Sequence, residues 1–568
     1  MEEHLSAEGR ARQMAGLRKL VTAFAGVPGI IGLHGGLPPA SAFPIREMTF
    51  TLRDGEKVVV DDPAKLAMAQ QYCLVTAGYP PLHSWAKAHM LRMHAPPVGL
   101  HDLIITNGNN QTIEIVMRIL MDKGDAILCE EYTYPHVSES MVQPQGYVAV
   151  PLTMDSSGIV PSVFRETMES LRAAGKPLPR LLYTVPVGQN PTGVVTPLKR
   201  REEIYAICRE YDIILLEDDP YFYLQFSPEG GQPKGLQGLG RSYLSMDVDG
   251  RVVRLDSFSK VLAPGTRVGW VTAAPALIEK IIFHLQGVHV GPNSFTQVVI
   301  AEMLEAWGDQ GFEAHVRAMQ SEYGERASVI QAAAQRHLAG LAEWQPPAAG
   351  MFLWVRLLQI PDARSILDSL KDAGVVVVPG RFCHSLGPQH SKACPYLRIS
   401  FACATLAELS EGMARLGSVL RHAATLQASA SSLTQAPLDA AQDTPQAVPV
   451  EEASAASSIS AEAGPERART DIRTLDSAFE TGGSADGPVS RGADASCAGG
   501  IAGKDRAQTN GAGPYSAGRM SPERPAELKP DASAKVQLLA GSAAVTEDAL
   551  APKPAKTVSV VPTSHVGA

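Results

Sequence analysis

The chain has 568 residues, a formal net charge of -9, and 45% hydrophobic against 19% charged residues. That length sets an expectation of two or more domains, and the acidic balance gives no electrostatic footprint for nucleic acid. No window of about 18 apolar residues is free of charge, so no membrane span is expected. The start, Met1-Glu2-Glu3-His4-Leu5, lacks a basic region followed by an apolar one, which argues against a secretion signal. The expected location is cytoplasmic, with Arg10, Arg12, Arg18 and Lys19 leaving mitochondrial import open. The seven cysteines, 73, 129, 208, 383, 394, 403 and 497, are odd in number and irregular in spacing, the pattern of reduced thiols. Cys383, His384, His390 and Cys394 cluster in sequence but contain no CxxC pair, so no metal site is expected.

In chain order, an apolar strand at Leu103–Thr106 precedes a helix at 110–121, and a second strand follows at Ala126–Cys129. Arg180–Val185 reads as a strand before a helix at 198–211. Further strands are expected at Ile213–Glu217, Arg251–Leu255, Gly269–Ala273 and Pro395–Phe401. Such alternation predicts an α/β fold, a mostly parallel sheet with helices on both faces. Ligands of such sheets gather at the carboxyl ends of the strands. From Ala423 to Ala568 the chain is rich in Ala, Ser, Gly and Pro, with two aromatics, Phe479 and Tyr515. This segment is expected to be disordered, a tether or a neutral extension, with a short helix possible near 534–540.

The chemistry concentrates after the strand that ends at Leu255. Ser257, Ser259, Lys260 and Arg267 fall within residues 256–267. An amine can condense with an aldehyde, while two hydroxyls and a guanidinium can hold a dianion. Pyridoxal 5'-phosphate carries both groups. A surface lysine in a Ser-rich loop is the plain alternative. Asp218, at the end of the preceding strand, could hold a pyridine nitrogen protonated, and Tyr221 could donate to the ring's phenolic oxygen. Asn190 sits in the turn Gly188-Gln189-Asn190-Pro191-Thr192-Gly193, where it either aims its amide at that oxygen or simply serves the turn. Asn109 and Asn110 open the first helix, as a phosphate seat, as an N-cap, or as both. Tyr134 could cover the ring face. Arg398, alone on its strand, offers a planar donor pair for a carboxylate.

Together these residues resemble the fold-type I pyridoxal-phosphate aminotransferases. The likeness is strongest to the group of kynurenine/2-aminoadipate and fungal aromatic aminotransferases. It covers most of residues 18–420. It rests on Gly35-Gly36-Leu37-Pro38, Leu182-Tyr183-Thr184-Val185-Pro186, Glu217-Asp218-Asp219-Pro220-Tyr221, Ser257-Phe258-Ser259-Lys260 and Ala349-Gly350-Met351-Phe352-Leu353-Trp354. The resemblance implies a large domain with a seven-stranded sheet and a smaller α/β domain. The expected division is an arm and lid at 1–45, the large domain at 46–295, the small domain at 296–422 and the tail at 423–568.

The resemblance also implies the roles. Lys260 binds the cofactor and moves the proton, Asp218 pairs with the ring nitrogen, and Asn190 and Tyr221 hold the phenolic oxygen. Tyr134 stacks on the ring. Ser257, Ser259 and Arg267, with the backbone around Asn109 and Asn110, hold the phosphate. Arg398 grips the substrate carboxylate, with Gly36, Asn190 and Phe352 beside it. Tyr72 is lent to the neighbouring site of a homodimer, and Arg18 rides on a mobile lid. Asn109 follows the fungal rather than the mammalian pattern, and His34 precedes the glycine pair where a small residue is usual. Both departures bear on substrate preference. The implied reaction is ping-pong transfer from a large amino acid (aromatic, 2-aminoadipate or kynurenine) to 2-oxoglutarate. A β-lyase on the same scaffold is the alternative within the cofactor class. A cofactor-sensing regulator is the alternative outside it, but about 45 residues ahead of the core are too few for a winged helix.

Overall fold

The computed structural model describes residues 2–24, 27–29, 31, 33–73, 77–97, 99–226, 233–389 and 392–434. His390, and the tail beyond Thr434 with its expected helix near 534–540, lie outside the described residues. Seven strands form the main sheet: β1 Asp102–Thr106, β2 Ala126–Glu130, β3 Val148–Leu152, β4 Leu181–Thr184, β5 Ile214–Asp218, β6 Val252–Ser257 and β7 Gly269–Ala273. Their order is β1-β7-β6-β5-β4-β2-β3. The four pairings from β6 to β3 are parallel, and β7 runs antiparallel to both neighbours. The reason is length. A parallel return needs a crossover of a dozen or more residues, usually a helix. The segment between Ser257 and Gly269 is too short for that and folds into a turn of helix, Phe258–Val261, instead.

β4 and β5 are buried along their whole length, as expected of strands covered on both faces. Successive residues part to opposite sides. Leu182 and Leu215 join one core with Leu82, Ala86 and Met90 of the helix Pro80–His94. Tyr183, Ile214 and Leu216 join a second core with Ile113, Val116 and Met117 of α1, Asn109–Leu120. Full burial of each such aliphatic side chain contributes roughly 1.5–3 kcal/mol relative to exposure.

A second sheet is wholly antiparallel. Its strands are β8 Ala342–Trp344, β9 Phe352–Leu357, β10 Val378–Pro379 and β11 Tyr396–Ser400, in the order β8-β9-β11-β10. Leu353, Val355, Leu397 and Ile399 pack against Ile330, Ala334 and Leu338 of the long helix Ser294–Leu338. That helix breaks its geometry at Gly308. Leu409, Met413 and Leu416 of the last helix, Leu406–Thr434, close the same core. This helix runs past Ala423, where the composition changes. Alanine is the best helix former, and extending an existing helix is far easier than starting one. Among the described residues no helix is long and apolar enough to cross a membrane.

Candidate active site

The carboxyl ends of β2, β4, β5 and β6 deliver Tyr134, Asn190, Asp218 with Tyr221, and Ser257 with Lys260 to one place. α1 adds Asn109 and Asn110, and β9 and β11 of the second sheet add Phe352 and Arg398. All of these, with Ser259 and Arg267, line a single cavity of about 520 Å³. The cavity also has walls from Tyr183, Val185, Pro220, Pro264 and Met351, which the sequence reading did not assign to the site. A signal for Tyr183 existed: it is the one aromatic in the buried strand Leu-Leu-Tyr-Thr.

Asp218 is buried at the end of β5. Its Oδ1 accepts from Asn109 Nδ2 at 2.7 Å and its Oδ2 from the Tyr183 hydroxyl at 2.8 Å. Burial pushes its carboxyl up to about 6, and the two donors oppose that rise. Tyr183 pairs with Leu216 across β4 and β5, so it stands on the sheet face that also carries Asp218. The Asn109 side chain therefore serves the aspartate. Sequence reasoning had placed that residue at the phosphate through its backbone.

At the other end, Gly108 precedes α1 with φ 90°, and no side chain caps the helix. Its first N–H groups are open to an anion. The Arg267 guanidinium lies over Gly108, where a Cβ would stand 2.9 Å from its Nη2. Arg267 Nη1 donates to Ser259 Oγ at 3.2 Å, and Ser257 Oγ accepts from the Ser259 N–H at 3.0 Å. Two hydroxyls, a guanidinium and a helix N-terminus form a donor set that fits a phosphate dianion. Lys260 lines the same cavity. Burial lowers its pKa below the ordinary lysine value, and the Arg267 charge works in the same direction.

Arg398 Nη1 donates to Asn190 Oδ1 at 2.8 Å, and its guanidinium sits 4.6 Å above the Phe352 ring. Burial pushes the Tyr221 hydroxyl up, with Arg398 and Asn190 opposing. The Tyr134 hydroxyl accepts from Asn110 Nδ2 at 3.5 Å. The turn after β4 and the segment entering β9 meet backbone to backbone. A Cβ on Gly188 would stand 2.6 Å from Gly350 Cα, and one on Gly193 2.7 Å from the Phe352 carbonyl oxygen. Tyr72, Arg18 and Gly36 lie elsewhere in the single chain. Tyr72 is 55% exposed, Arg18 donates to the Val290 carbonyl at 3.0 Å, and Gly36 is exposed with open space around it. Among the described residues no group of His, Cys, Asp and Glu side chains is arranged to hold a metal ion.

A mostly parallel seven-stranded sheet, with a lysine just beyond one strand and an aspartate at the end of the next, defines a fold-type I pyridoxal-phosphate enzyme. The chain belongs to the class I and II aminotransferases, whose family model matches residues 78–416. A mitochondrial kynurenine/alpha-aminoadipate aminotransferase of Bos taurus is 33% identical over 431 residues, 73% of this chain and 98% of the bovine protein. An aromatic amino acid aminotransferase of Schizosaccharomyces pombe is 32% identical over 467 residues, 74% of this chain and 98% of the yeast protein. The crystal structure of aminotransferase Aro8 from Candida albicans matches with a TM-score of 0.69 at 30% identity, over 74% of this chain and 98% of that one.

Proposed function

We propose that this aminotransferase moves the amino group of a large L-amino acid, aromatic or of the 2-aminoadipate and kynurenine type, to 2-oxoglutarate in two half-reactions on pyridoxal 5'-phosphate. The observation that carries the reading is one cavity lined by Lys260, by the donor set Ser257, Ser259 and Arg267, by the buried Asp218 and by Arg398. The names of the bovine and yeast relatives support the substrate class. When bound, the cofactor supplies an aldehyde for the amino group and a cationic ring that accepts electron density from Cα.

The chain's own groups do the rest. Ser257, Ser259, Arg267 and the α1 N-terminus anchor the phosphate. Asp218, ionised, would hold the proton on the ring nitrogen. Asn190 and Tyr221 would hold the phenolic oxygen, and Tyr134 would cover the ring. The Arg398 guanidinium orients the substrate carboxylate, its planar fork matching both oxygens. Lys260 Nζ, whose pKa burial lowers, would move the proton taken from the substrate Cα. Tyr72 and Arg18 complete the site in a homodimer, Tyr72 from a second copy and Arg18 from a closing N-terminal segment. The exposure of Tyr72, Met68, Val290 and Phe295 supports a partner surface there.

The test is single-turnover mixing of cofactor-loaded protein with L-2-aminoadipate and, separately, L-phenylalanine. Rapid loss of the visible cofactor band is expected with both, and no turnover is expected in a folded Lys260→Arg variant. An unchanged band with both substrates refutes the substrate reading. Ammonia release without added oxo acid would favour the lyase alternative. Wild-type turnover in Lys260→Arg refutes the lysine's role.

A further inference from the structure

Behind the cavity, on the opposite face of the main sheet, lies a group of four charged side chains that the reaction does not touch. Arg254 is fully buried at the middle of β6. Its Nη1 donates to Asp219 Oδ2 at 2.9 Å and stands 3.1 Å from Glu217 Oε1. Its Nε and Nη2 hold the two Asp256 oxygens at 3.0 and 2.8 Å. One guanidinium thus uses its whole fork on three carboxylates, each buried to about the same degree as the arginine. It also lies 4.8 Å over the Phe222 ring.

Charge is not balanced here. The other buried cation nearby, Arg201, directs its N–H groups to the carbonyls of Thr196, Arg241 and Pro186. His89 and His94, on the helix packed against this face, are held neutral, because burial lowers both pKa values far below the usual histidine range. Glu217 takes two backbone N–H groups, from Tyr243 at 2.9 Å and Leu244 at 3.2 Å. Asp219 Oδ1 has no hydrogen-bond partner among the described residues. Burial pushes the Asp219 and Asp256 carboxyls upward, and the Arg254 guanidinium opposes both rises. Such a cluster is weak evidence for stability, since well-packed apolar residues serve stability as well or better. Its place in the chain is more telling.

Side chains alternate across a strand. Glu217 and Asp219 flank Asp218, and Asp256 precedes Ser257. Leu255 pairs with Asp218, and Arg254 with Glu217, across β5 and β6. The residues that face the cavity and those that face the cluster therefore interleave along the same two strand ends. We propose that Arg254 is a positioning residue: by clamping Glu217, Asp219 and Asp256 on the back of the sheet, it fixes the two strand ends from which Asp218 reaches the cofactor ring and Ser257 reaches the phosphate. The proposal rests on the cofactor reading given above. It also divides the work. The Asp256 arm serves the phosphate end, and the Asp219 arm serves the ring end.

The division is testable in the full-length protein by titrating the cofactor-free form with pyridoxal 5'-phosphate and, in parallel, with pyridoxal, which lacks the phosphate. Thermal unfolding of the cofactor-free form is recorded for each variant. In Asp256→Asn the Kd for pyridoxal phosphate is expected to rise about 10-fold while that for pyridoxal rises less than about 3-fold, because weakening the charge-assisted bonds to Arg254 loosens the strand end that carries Ser257. In Asp219→Asn both ligands weaken together. The pH at which the bound cofactor's visible band changes falls by about half a unit, because a negative charge behind the ring is removed. Arg254→Lys keeps the charge but cannot span three carboxylates, and combines both effects if it folds. The two asparagine variants keep the test decisive if it does not. Variants with altered thermal unfolding but unchanged affinities and band midpoint overturn the proposal, since a purely structural cluster behaves that way. Equal loss of both ligands in Asp256→Asn overturns it too. A wild-type protein that binds neither ligand refutes the cofactor reading itself, and this proposal with it.

Discussion

Tyr183→Phe isolates one hydrogen bond whose effect can be worked through. The hydroxyl donates to Asp218 Oδ2 at 2.8 Å and opposes the rise that burial imposes on that carboxyl, which stands at about 6. A hydrogen bond to a charged group is worth about 1.5–3 kcal/mol, and one pKa unit about 1.4 kcal/mol. Losing it moves Asp218 up by about 1–2 units in the cofactor-free protein. At pH 7 the ionised fraction then falls from about 0.9 to between about 0.5 and 0.1. The bond strengthens the carboxylate equally with and without cofactor, so its direct contribution cancels. What remains is the cost of ionising Asp218 before the ring nitrogen can be held. The apparent Kd for pyridoxal phosphate therefore rises about 2- to 10-fold at pH 7. By pH 8.5 the difference shrinks to less than about 1.5-fold by the same relation. The assay is the ratio of variant to wild-type Kd across pH 6.5–9, a span of about 2.5 units, in which the titration of Lys260 is common to both. A ratio that is flat with pH, or equal to one at pH 7, refutes the reasoning.

Gly108→Ala places a Cβ 2.9 Å from Arg267 Nη2 at φ 90°. The strain of about 1–3 kcal/mol is expected to weaken pyridoxal-phosphate binding about 10-fold or more, with pyridoxal affected less, as read by equilibrium titration. Arg398→Lys keeps the charge but loses the planar fork and its bond to Asn190, so kcat/KM for amino acid and oxo acid falls roughly 10- to 100-fold while cofactor absorbance stays unchanged. Glu130 is buried at the end of β2 and accepts from Thr184, Val185 and Gln189, yet burial raises it from 4.5 to about 7. Between those values the folded chain keeps a proton that the unfolded chain has lost. Stability therefore falls as pH rises from about 4.5 to about 7, by about 3 kcal/mol for this group. Urea unfolding of the cofactor-free protein against pH should show a slope shallower by that amount in Glu130→Gln, and an unchanged slope refutes the assignment.

Much of the fold was legible because both faces of the main sheet are covered. Complete burial writes β5 as Ile-Leu-Leu-Glu-Asp and β4 as Leu-Leu-Tyr-Thr, apolar runs with polar residues only near their ends. Those ends are where ligands meet such sheets, so Asp218, Asn190, Ser257 and Lys260 could be named from position and chemistry together. Tyr183 and the Asn109 side chain were not, because a hydrogen bond to Asp218 depends on which sheet face a residue occupies and on the β4–β5 register, and neither is written locally. The Arg254 cluster was hidden for the same reason. In sequence its members read as separate charges, and only the pairing of β5 with β6 brings them together. The final helix ran past Ala423 because composition reports the average hydrophobicity of a stretch, whereas helix extension depends on what has already folded ahead of it.

The meeting of Gly188 with Gly350, and of Gly193 with the Phe352 backbone, bears on how this enzyme's substrate range can change over generations. At Gly188 and Gly193 main chain meets main chain, so at these two points there is no side chain to trim and a substitution only adds bulk. Neither glycine lines the cavity, whose walls are side chains such as Val185, Met351 and Phe352. Changes in preference therefore fall to those lining side chains rather than to the spacing of the two chain segments. The spacing is inherited whole, and adaptation is left to the lining.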